Sequence, residues 1–367
     1  TFPIKPFGSD KRDRLLILML KSTTIFFLML FTLTSSARAQ FDDNHPELNW
    51  QKIETEHFRI YYHQGLEKFA QRATTAAEEA YGPVTSFYNF EPDEKVRLIL
   101  KDTNDYANGG AYYYHNTIEI WVTSFDSELR GTTDWLRNVI THEFTHIVSL
   151  QTGRKGSRRV PAIFLHYLRY QGEGKRDDIL DGYPNVLTSY AIPMTIIPPW
   201  FAEGTAQYMA PGVQHDSWDS HRDMILRQAI LNNTLLTNNE MGVFGAKTSL
   251  GFEKVYDHGY SLTLYIVNTF GREKLGEIYR NMAVKWRTDF SGAIQKALGV
   301  SGKELHAQWK ASLEERYAIQ KATLDASPAQ GDLVHDKGYL NLYPRWSPDG
   351  SKLAFLTNKG RDYGRTS

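Results

Sequence analysis

The chain has 367 residues, of which 41% are hydrophobic and 13% aromatic, and this composition predicts a globular protein rather than a disordered segment. Lys plus Arg equals Asp plus Glu at 42 each, so the charge balance gives no reason to expect nucleic acid as a partner. Cysteine is absent, which excludes disulfides, thiolate-held zinc and a thiol nucleophile. Any metal must therefore be held by His and carboxylate side chains.

The first 39 residues have the order of an export signal. Basic residues precede an apolar run, and the stretch ends with the small residues Ala37 and Ala39. We expect removal of residues 1–39 by cleavage before Gln40, and a location in the periplasm or outside the cell. The alternative is an uncleaved membrane anchor over roughly residues 14–35, which Lys21 inside the run disfavours.

Apolar periodicity then predicts strands and one helix. The helix begins at Leu66 and is expected to end at Tyr81, before Gly82-Pro83, because both residues interrupt helices. Asn108-Gly-Gly110 predicts a turn. The strands are predicted over residues 57–63 and 96–100, with one or two more over 111–122.

Thr133 and Asp134 offer N-cap groups for a helix that runs to about Gly153. Residues 154–199 are rich in Pro and Gly, which predicts an irregular insertion. Further helices are predicted over residues 200–209, 219–231, 261–270 and 273–286, and from the capping box Ser301-Gly-Lys-Glu304 to about Lys321.

The composition changes after this last helix. Residues 322–338 have the Ser, Pro, Ala, Gly and Asp content of a linker. In residues 343–355 a Pro-Asp-Gly turn separates an aromatic strand end from an alternating strand, and this pattern resembles a blade of a Tol-type β-propeller. We therefore predict an α+β domain over residues 40–321, a linker, and the first blade fragment over 339–367, with the remaining propeller downstream in a longer chain.

Residues 142–146 have the sequence His-Glu-Phe-Thr-His, which is His-Glu-x-x-His on a predicted helix. The spacing of four residues places both imidazoles on one helix face, with Glu143 beside them. This arrangement predicts one zinc ion held by His142 and His146, with an open position for water. Glu143 would act as the general base that takes the proton of that water.

A third zinc ligand should come from a separate helix. Residues 200–206 have the sequence Trp-Phe-Ala-Glu-Gly-Thr-Ala, which supplies the carboxylate of Glu203. Gly204 beside it would allow the two helices to approach closely. The alternative for Glu203 is an ordinary position on a helix surface.

The two segments together are similar to those of the gluzincin peptidases, including the aminopeptidase-N-like branch. The resemblance implies a zincin-like fold with a mixed sheet and an active-site helix, zinc-dependent peptide hydrolysis, and Glu203 as the third ligand. It also implies a role for Tyr256, because residues 256–259 match a Tyr-x-x-Gly segment that opens a helix in the family and whose Tyr stabilises the oxyanion. Tyr260 is the rival for this role, and core packing is the alternative for both.

Two features depart from the aminopeptidase-N-like branch. The gap between His146 and Glu203 is much longer, and the Gly-x-Met-Glu-Asn segment that holds a substrate amino terminus has no counterpart upstream of His142. An endopeptidase is therefore expected. The closer resemblance is to bacterial gluzincin-like domains that precede a Tol-type propeller, and it covers most of residues 50–320. The alternative function is a catalytically inactive domain that, with its propeller, binds a partner in the cell envelope.

Residues 154–170 join a basic cluster to an aromatic, apolar stretch. This pattern predicts either a peripheral membrane contact or, in preference, a hydrophobic flap packed over the active-site helix. His258, within the Tyr256 segment, is expected to be structural, although it could face the cleft.

Overall fold

The larger sheet in the described part of the chain has five strands, in the order β1-β2-β3-β5-β4: Trp50–Glu54 (β1), Phe58–His63 (β2), Val96–Lys101 (β3), Gly109–Tyr112 (β4) and Thr117–Trp121 (β5). β2, β3 and β5 are parallel, whereas the edge strands β1 and β4 are antiparallel to their neighbours. Alternate residues of β3 are fully buried, which places the core against one face of the sheet. The predicted mixed sheet of an α+β fold is confirmed.

These features come from a computed structural model. It describes residues 45, 47–104, 106–124, 133–154, 164–169, 186–191, 197–209, 212–213, 215–244, 249–284, 287, 289–328, 331–338 and 340–359, with the backbone alone at 164–169, 186–191 and 249. The chain divides into two compact units, residues 1–49 and 50–367. The predicted signal segment, residues 1–39, lies outside the described residues.

Nine α-helices are described, in chain order: Glu67–Tyr88 (α1), Trp135–Thr152 (α2), Pro199–Tyr208 (α3), Ser220–Leu231 (α4), Asn238–Met241 (α5), Ser249–Phe270 (α6), Glu273–Met282 (α7), Phe290–Leu298 (α8) and Gly302–Asp325 (α9). The Asp134 side chain accepts a hydrogen bond from the Arg137 amide at the start of α2, as its capping position predicts. Both bonds of the predicted capping box are present at the start of α9. The sequence prediction missed α5 and α8.

α1 does not end at Gly82-Pro83. The helix continues through Pro83 to Tyr88 and closes at Asn89, whose φ is 51°. Val84 and Tyr88 are buried in the core, so the last two turns are stabilised by packing. The Thr85 hydroxyl also donates to the Tyr81 carbonyl at 2.8 Å. Tertiary packing therefore outweighs the local helix-breaking preference, and the prediction of a stop was wrong.

β4 contains the two glycines for which the sequence predicts a turn. The chain turns later, at the 3-10 helix Tyr113–His115 and at Asn116, whose φ is 51°. Gly109 instead lies directly on α2, where a Cβ would be 2.5 Å from Val139 Cγ2 and 2.8 Å from Glu143 Oε1. Its lack of a side chain serves the close approach of β4 to α2.

The segment between α2 and α3 contains two antiparallel strands, Phe164–Arg169 (β6) and Val186–Ala191 (β7). The irregular insertion predicted there thus includes a regular strand pair. Most of the predicted membrane-contact or flap segment, residues 154–170, lies outside the described residues or is described as backbone only. None of the helices in the described part of the chain combines the length and the apolar character that a membrane crossing requires.

Two further strands, Asn341–Trp346 (β8) and Leu353–Thr357 (β9), pair antiparallel on either side of a tight turn. Gly350 in this turn has a φ of 70°, which explains the need for glycine there. The predicted hairpin is confirmed, whereas its assignment to a propeller blade stays a prediction. α9 extends to Asp325, a few residues beyond the predicted end near Lys321.

α3 and α6 cross in backbone contact. A Cβ on Gly204 would lie 2.4 Å from the Gly259 carbonyl oxygen, and a Cβ on Gly259 would lie 2.3 Å from the Trp200 carbonyl oxygen. Both positions therefore require glycine. The close approach that Gly204 permits is to α6, and not to the His-Glu-x-x-His helix as the sequence suggested.

Candidate metal centre

Two imidazoles of α2 and one carboxylate of α3 converge at the bottom of a cleft. The Nε2 atoms of His142 and His146 are 3.1 Å apart, and they lie 3.1 and 3.2 Å from Oε2 of Glu203. Their side chains are only 9–14% exposed. The structure thus brings together the three ligands that the sequence predicts. They come from two helices, and 46 residues separate the end of α2 at Thr152 from the start of α3 at Pro199.

The chemistry of this donor set fits a metal ion. When each imidazole carries its proton on Nδ1, all three converging atoms are acceptors, and such atoms repel one another unless a cation lies between them. Zinc with ligand bonds of about 2.0–2.2 Å in tetrahedral geometry separates its ligand atoms by about 3.3–3.6 Å. The observed separations of 3.1–3.2 Å are close to this range. The cluster of His142, His146 and Glu203 could therefore bind one metal ion.

The pKa values of the cluster reflect the same proximity. Burial alone would raise the pKa of Glu203, but the two imidazoles outweigh burial and hold the pKa well below its usual range. Burial alone would lower the pKa of His146, but the Glu203 carboxylate outweighs it and raises the pKa. The carboxylate and the imidazoles therefore stabilise each other's charged forms.

Glu143 is buried beside the cluster, under the edge strand β4. Burial raises the pKa of its carboxyl group, although His142 and His146 oppose the shift. A raised pKa suits a group that must first accept a proton and later release it near neutral pH. Glu143 is not one of the three converging ligands.

These residues line a cleft of about 460 Å³. One wall is formed by residues 106–111, which include the first three residues of β4. The lining also includes Gln207 of α3, Arg222 of α4 and Tyr256 of α6. The cleft therefore leaves space beside the candidate metal site.

The structure separates the two tyrosines proposed for the oxyanion role. Tyr256 lines the cleft, and its ring lies 5.6 Å from that of Phe244. Tyr260 is 4% exposed and packs against Trp218, and burial raises its pKa to about 12. Both residues lie inside α6, which begins at Ser249, so the expectation that the Tyr256 segment opens a helix was wrong.

His258 lies on the other side of α6. Its imidazole is fully buried near Trp309, with ring centroids 6.1 Å apart, and burial, Lys254 and His306 lower its pKa to about 3. It is not among the residues that line the cleft, which agrees with the structural role expected for it.

An ion pair in the cleft wall escaped the sequence prediction. Arg222 is 3% exposed, and its guanidinium donates to both carboxylate oxygens of Asp216 at 2.8 Å. Asp219 accepts from the same group at 2.9 Å. Asp219 also caps α4 by accepting from the backbone amides of His221 and Arg222, and nothing in the sequence spacing indicated that Arg222 lines the cleft.

Comparison of the chain with family models and with curated proteins found no match in either set.

Proposed function

We propose that the chain carries an exported, zincin-like peptidase domain that hydrolyses peptide bonds with the help of one zinc ion. The observation that carries this proposal is the convergence of His142, His146 and Glu203 with the buried carboxyl group of Glu143 at their side. A zinc ion held there would supply Lewis acidity, which polarises a carbonyl group and lowers the pKa of water.

The surrounding fold supports this assignment to the gluzincin type. A mixed sheet lies over the helix that carries His-Glu-x-x-His, and its antiparallel edge strand borders the cleft. The third ligand, Glu203, comes from the next α-helix described along the chain. These are the features that the sequence resemblance implies.

Two further residues of the cleft have the roles of general base and oxyanion donor. Glu143 accepts a proton from the attacking water and delivers it to the leaving amine, because its buried carboxyl group has a raised pKa. Tyr256 is the donor that we assign to the oxygen on which negative charge develops, since it lines the cleft and Tyr260 does not.

The substrate is a peptide or protein bound in extended form. β4 is an edge strand, and its outer side has no strand partner among the described residues. Its small residues Gly109 and Gly110 line the cleft beside Glu143. A peptide can therefore pair with this strand through main-chain hydrogen bonds, which places its backbone near the ligands.

The test is to measure the zinc content of the purified protein together with its cleavage of an unfolded protein substrate. Glu143→Gln should retain zinc, because Glu143 is not a ligand, and lower the cleavage rate by at least about a hundredfold through loss of the base. Tyr256→Phe should also retain zinc and lower turnover, whereas Tyr260→Phe is the matched control from the same helix and should leave turnover near the wild-type value.

A wild-type protein that holds zinc and yet cleaves nothing in a broad peptide library would contradict the proposal. Equal cleavage by Glu143→Gln and wild type would contradict it as well. In either case the inactive binding domain replaces the peptidase.

A further inference from the structure

A buried tyrosine lies behind the candidate metal site, between the two helices that carry its ligands. Tyr279 of α7 is fully buried, and its phenol oxygen is 2.8 Å from the Thr205 hydroxyl oxygen. Thr205 follows Glu203 by two residues in α3. The phenol therefore contacts the helix of the third ligand close to that ligand.

The direction of this hydrogen bond follows from the other bonds of Thr205. Its hydroxyl oxygen is 2.7 Å from the Phe201 carbonyl oxygen and 3.1 Å from that of Ala202. A hydroxyl group has one hydrogen, and here it is donated within α3. The Tyr279 hydroxyl must then be the donor to Thr205.

The same tyrosine contacts the helix that carries both histidines. A Cβ on Gly153, at the end of α2, would lie 3.1 Å from Cδ1 of the Tyr279 ring, so the ring packs closely on the last turn of this helix. Ile197, which precedes α3, lies at the same place, with its Cδ1 3.2 Å from that Cβ position. On the α3 side, the rings of Phe201 and Tyr279 lie 4.9 Å apart.

We propose that Tyr279 is a positioning residue, which holds α2 and α3 at the separation at which their three ligands converge on one metal ion. The inference rests on the proposed metal site. Three ligand atoms 3.1–3.2 Å apart leave little tolerance for a relative shift of the two helices. Groups that orient ligands without touching the metal typically change metal affinity by about 10- to 100-fold when they are removed.

The first measurement is the zinc dissociation constant of the full chain, by competition with a chromophoric chelator. Tyr279→Phe keeps the ring and removes only the donor to Thr205, so we expect the dissociation constant to rise about tenfold. Thr205→Val, which removes the acceptor, should have a similar effect, and the double variant should be little worse than either single variant because both remove the same bond. Thr205→Ser keeps the acceptor and should bind zinc like the wild type.

Tyr317→Phe is the matched control. Tyr317 is equally buried, and its hydroxyl donates to Asp223 at 3.0 Å, in a part of the fold remote in sequence from the ligands. Both tyrosine variants should unfold at lower temperature than the wild type, but only Tyr279→Phe should bind zinc more weakly. A merely structural role for Tyr279 would lower thermal stability and leave zinc affinity unchanged.

The outcomes separate the two proposals. If the wild type binds zinc and Tyr279→Phe and Thr205→Val bind it equally well, the positioning role is refuted while the metal site stands. If Tyr317→Phe weakens zinc binding as much as Tyr279→Phe, the effect reflects general destabilisation and the inference is again refuted. If the wild type binds no zinc, the proposed function fails and the inference fails with it. Should Tyr279→Phe not fold, the comparison of Thr205→Val with Thr205→Ser decides.

Discussion

Two clusters of ionisable side chains border the same cleft, and only one of them contains a permanently charged cation. In the Arg222 cluster one guanidinium lies among three carboxylates, at 2.8 Å from Asp216, 2.9 Å from Asp219 and 3.8 Å from Asp257. In the ligand cluster the converging atoms are two imidazole nitrogens and a carboxylate oxygen, which are acceptors when the imidazoles are neutral.

This difference distinguishes a structural ion cluster from a candidate metal site. Buried charges are tolerated when an opposite charge and hydrogen bonds compensate for the loss of water. Arg222 provides this compensation within the protein. The ligand cluster lacks such a group among its three members, so a proton or a metal cation must provide it. Burial of charge alone would have selected both clusters, whereas the absence of a permanently charged cation such as a guanidinium selects only one.

The Arg222 cluster also connects more of the fold. Arg222 and Asp223 are adjacent in α4, and Asp223 accepts from Arg316 at 2.7 Å and from Tyr317 at 3.0 Å, both in α9. Through Asp257, Arg222 reaches α6 as well. α4 is therefore joined to α6 through Arg222 and to α9 through Asp223.

The largest effect on stability should come from Arg222→Met. This change leaves three carboxylates without their cation in a buried setting, and we expect a loss of about 3–5 kcal/mol in the free energy of unfolding. Denaturant unfolding monitored by circular dichroism measures it. The zinc affinity of the protein that remains folded should equal that of the wild type.

Arg227→Met is the control on the same helix. Its guanidinium is 29% exposed and lies 3.2 Å from Asp223 Oδ2. Because exposed ion pairs contribute little, we expect a loss below about 1 kcal/mol. If both arginine variants lose the same free energy of unfolding, the buried Arg222 cluster contributes no more to stability than the Arg227 ion pair does.

Glu203→Ala should show the opposite pattern. The binding free energy of a zinc ion held by protein ligands is about 10–16 kcal/mol in total. Removal of one ligand should therefore weaken zinc binding by at least about a hundredfold. At pH 8 the metal-free protein should lose less stability than Arg222→Met does, because the imidazoles can stay neutral once the carboxylate is removed, whereas a guanidinium or the carboxylates around it keep their charge. Zinc titration and unfolding in chelator measure the two quantities. Full zinc occupancy in Glu203→Ala would disprove the third ligand.

The three ligands could be predicted because each depends on local sequence. His142 and His146 share a helix face through their spacing, and Asp134 marks the start of that helix. Glu203 required a second local segment with its own pattern. β2, β3 and β5 followed from the apolar and β-branched residue pattern in the same way, although β1 was missed, and the mixed sheet was implied by the family resemblance.

Long-range packing explains what could not be predicted. Gly109 has the sequence signal of a turn, and only its contact with Glu143 shows why it lies in a strand. Pro83 should end a helix, but the burial of Val84 and Tyr88 extends it. The bond between Thr205 and Tyr279 joins residues 74 positions apart, and a buried tyrosine has the same sequence pattern with or without such a bond.

A smaller effect than that of Arg222→Met concerns a third kind of buried ionisable group, an imidazole whose pKa is lowered by basic groups. His258 is fully buried, and burial together with Lys254 and His306 lowers its pKa to about 3 in the folded protein, whereas the unfolded value is about 6.5. Between these two pKa values the His258 side chain is protonated in the unfolded chain and neutral in the folded protein, so the free energy of unfolding falls as the pH falls. The contribution of neutral His258 to the free energy of unfolding is fully present above about pH 6.5. It is lost as the pH falls toward 3, by at most about 1.4 kcal/mol per pH unit.

His258→Leu should remove this dependence, because leucine has no proton to bind. Between pH 7 and pH 5 the wild type should lose about 2 kcal/mol more free energy of unfolding than the variant does. Denaturant unfolding at both pH values, in chelator so that zinc release does not contribute, measures the difference. His115→Gln, at a solvent-exposed histidine, is the control and should behave like the wild type. If His258→Leu and wild type lose stability in parallel, His258 gains its proton without cost, and the contrast with His146, whose carboxylate partner raises its pKa, does not hold.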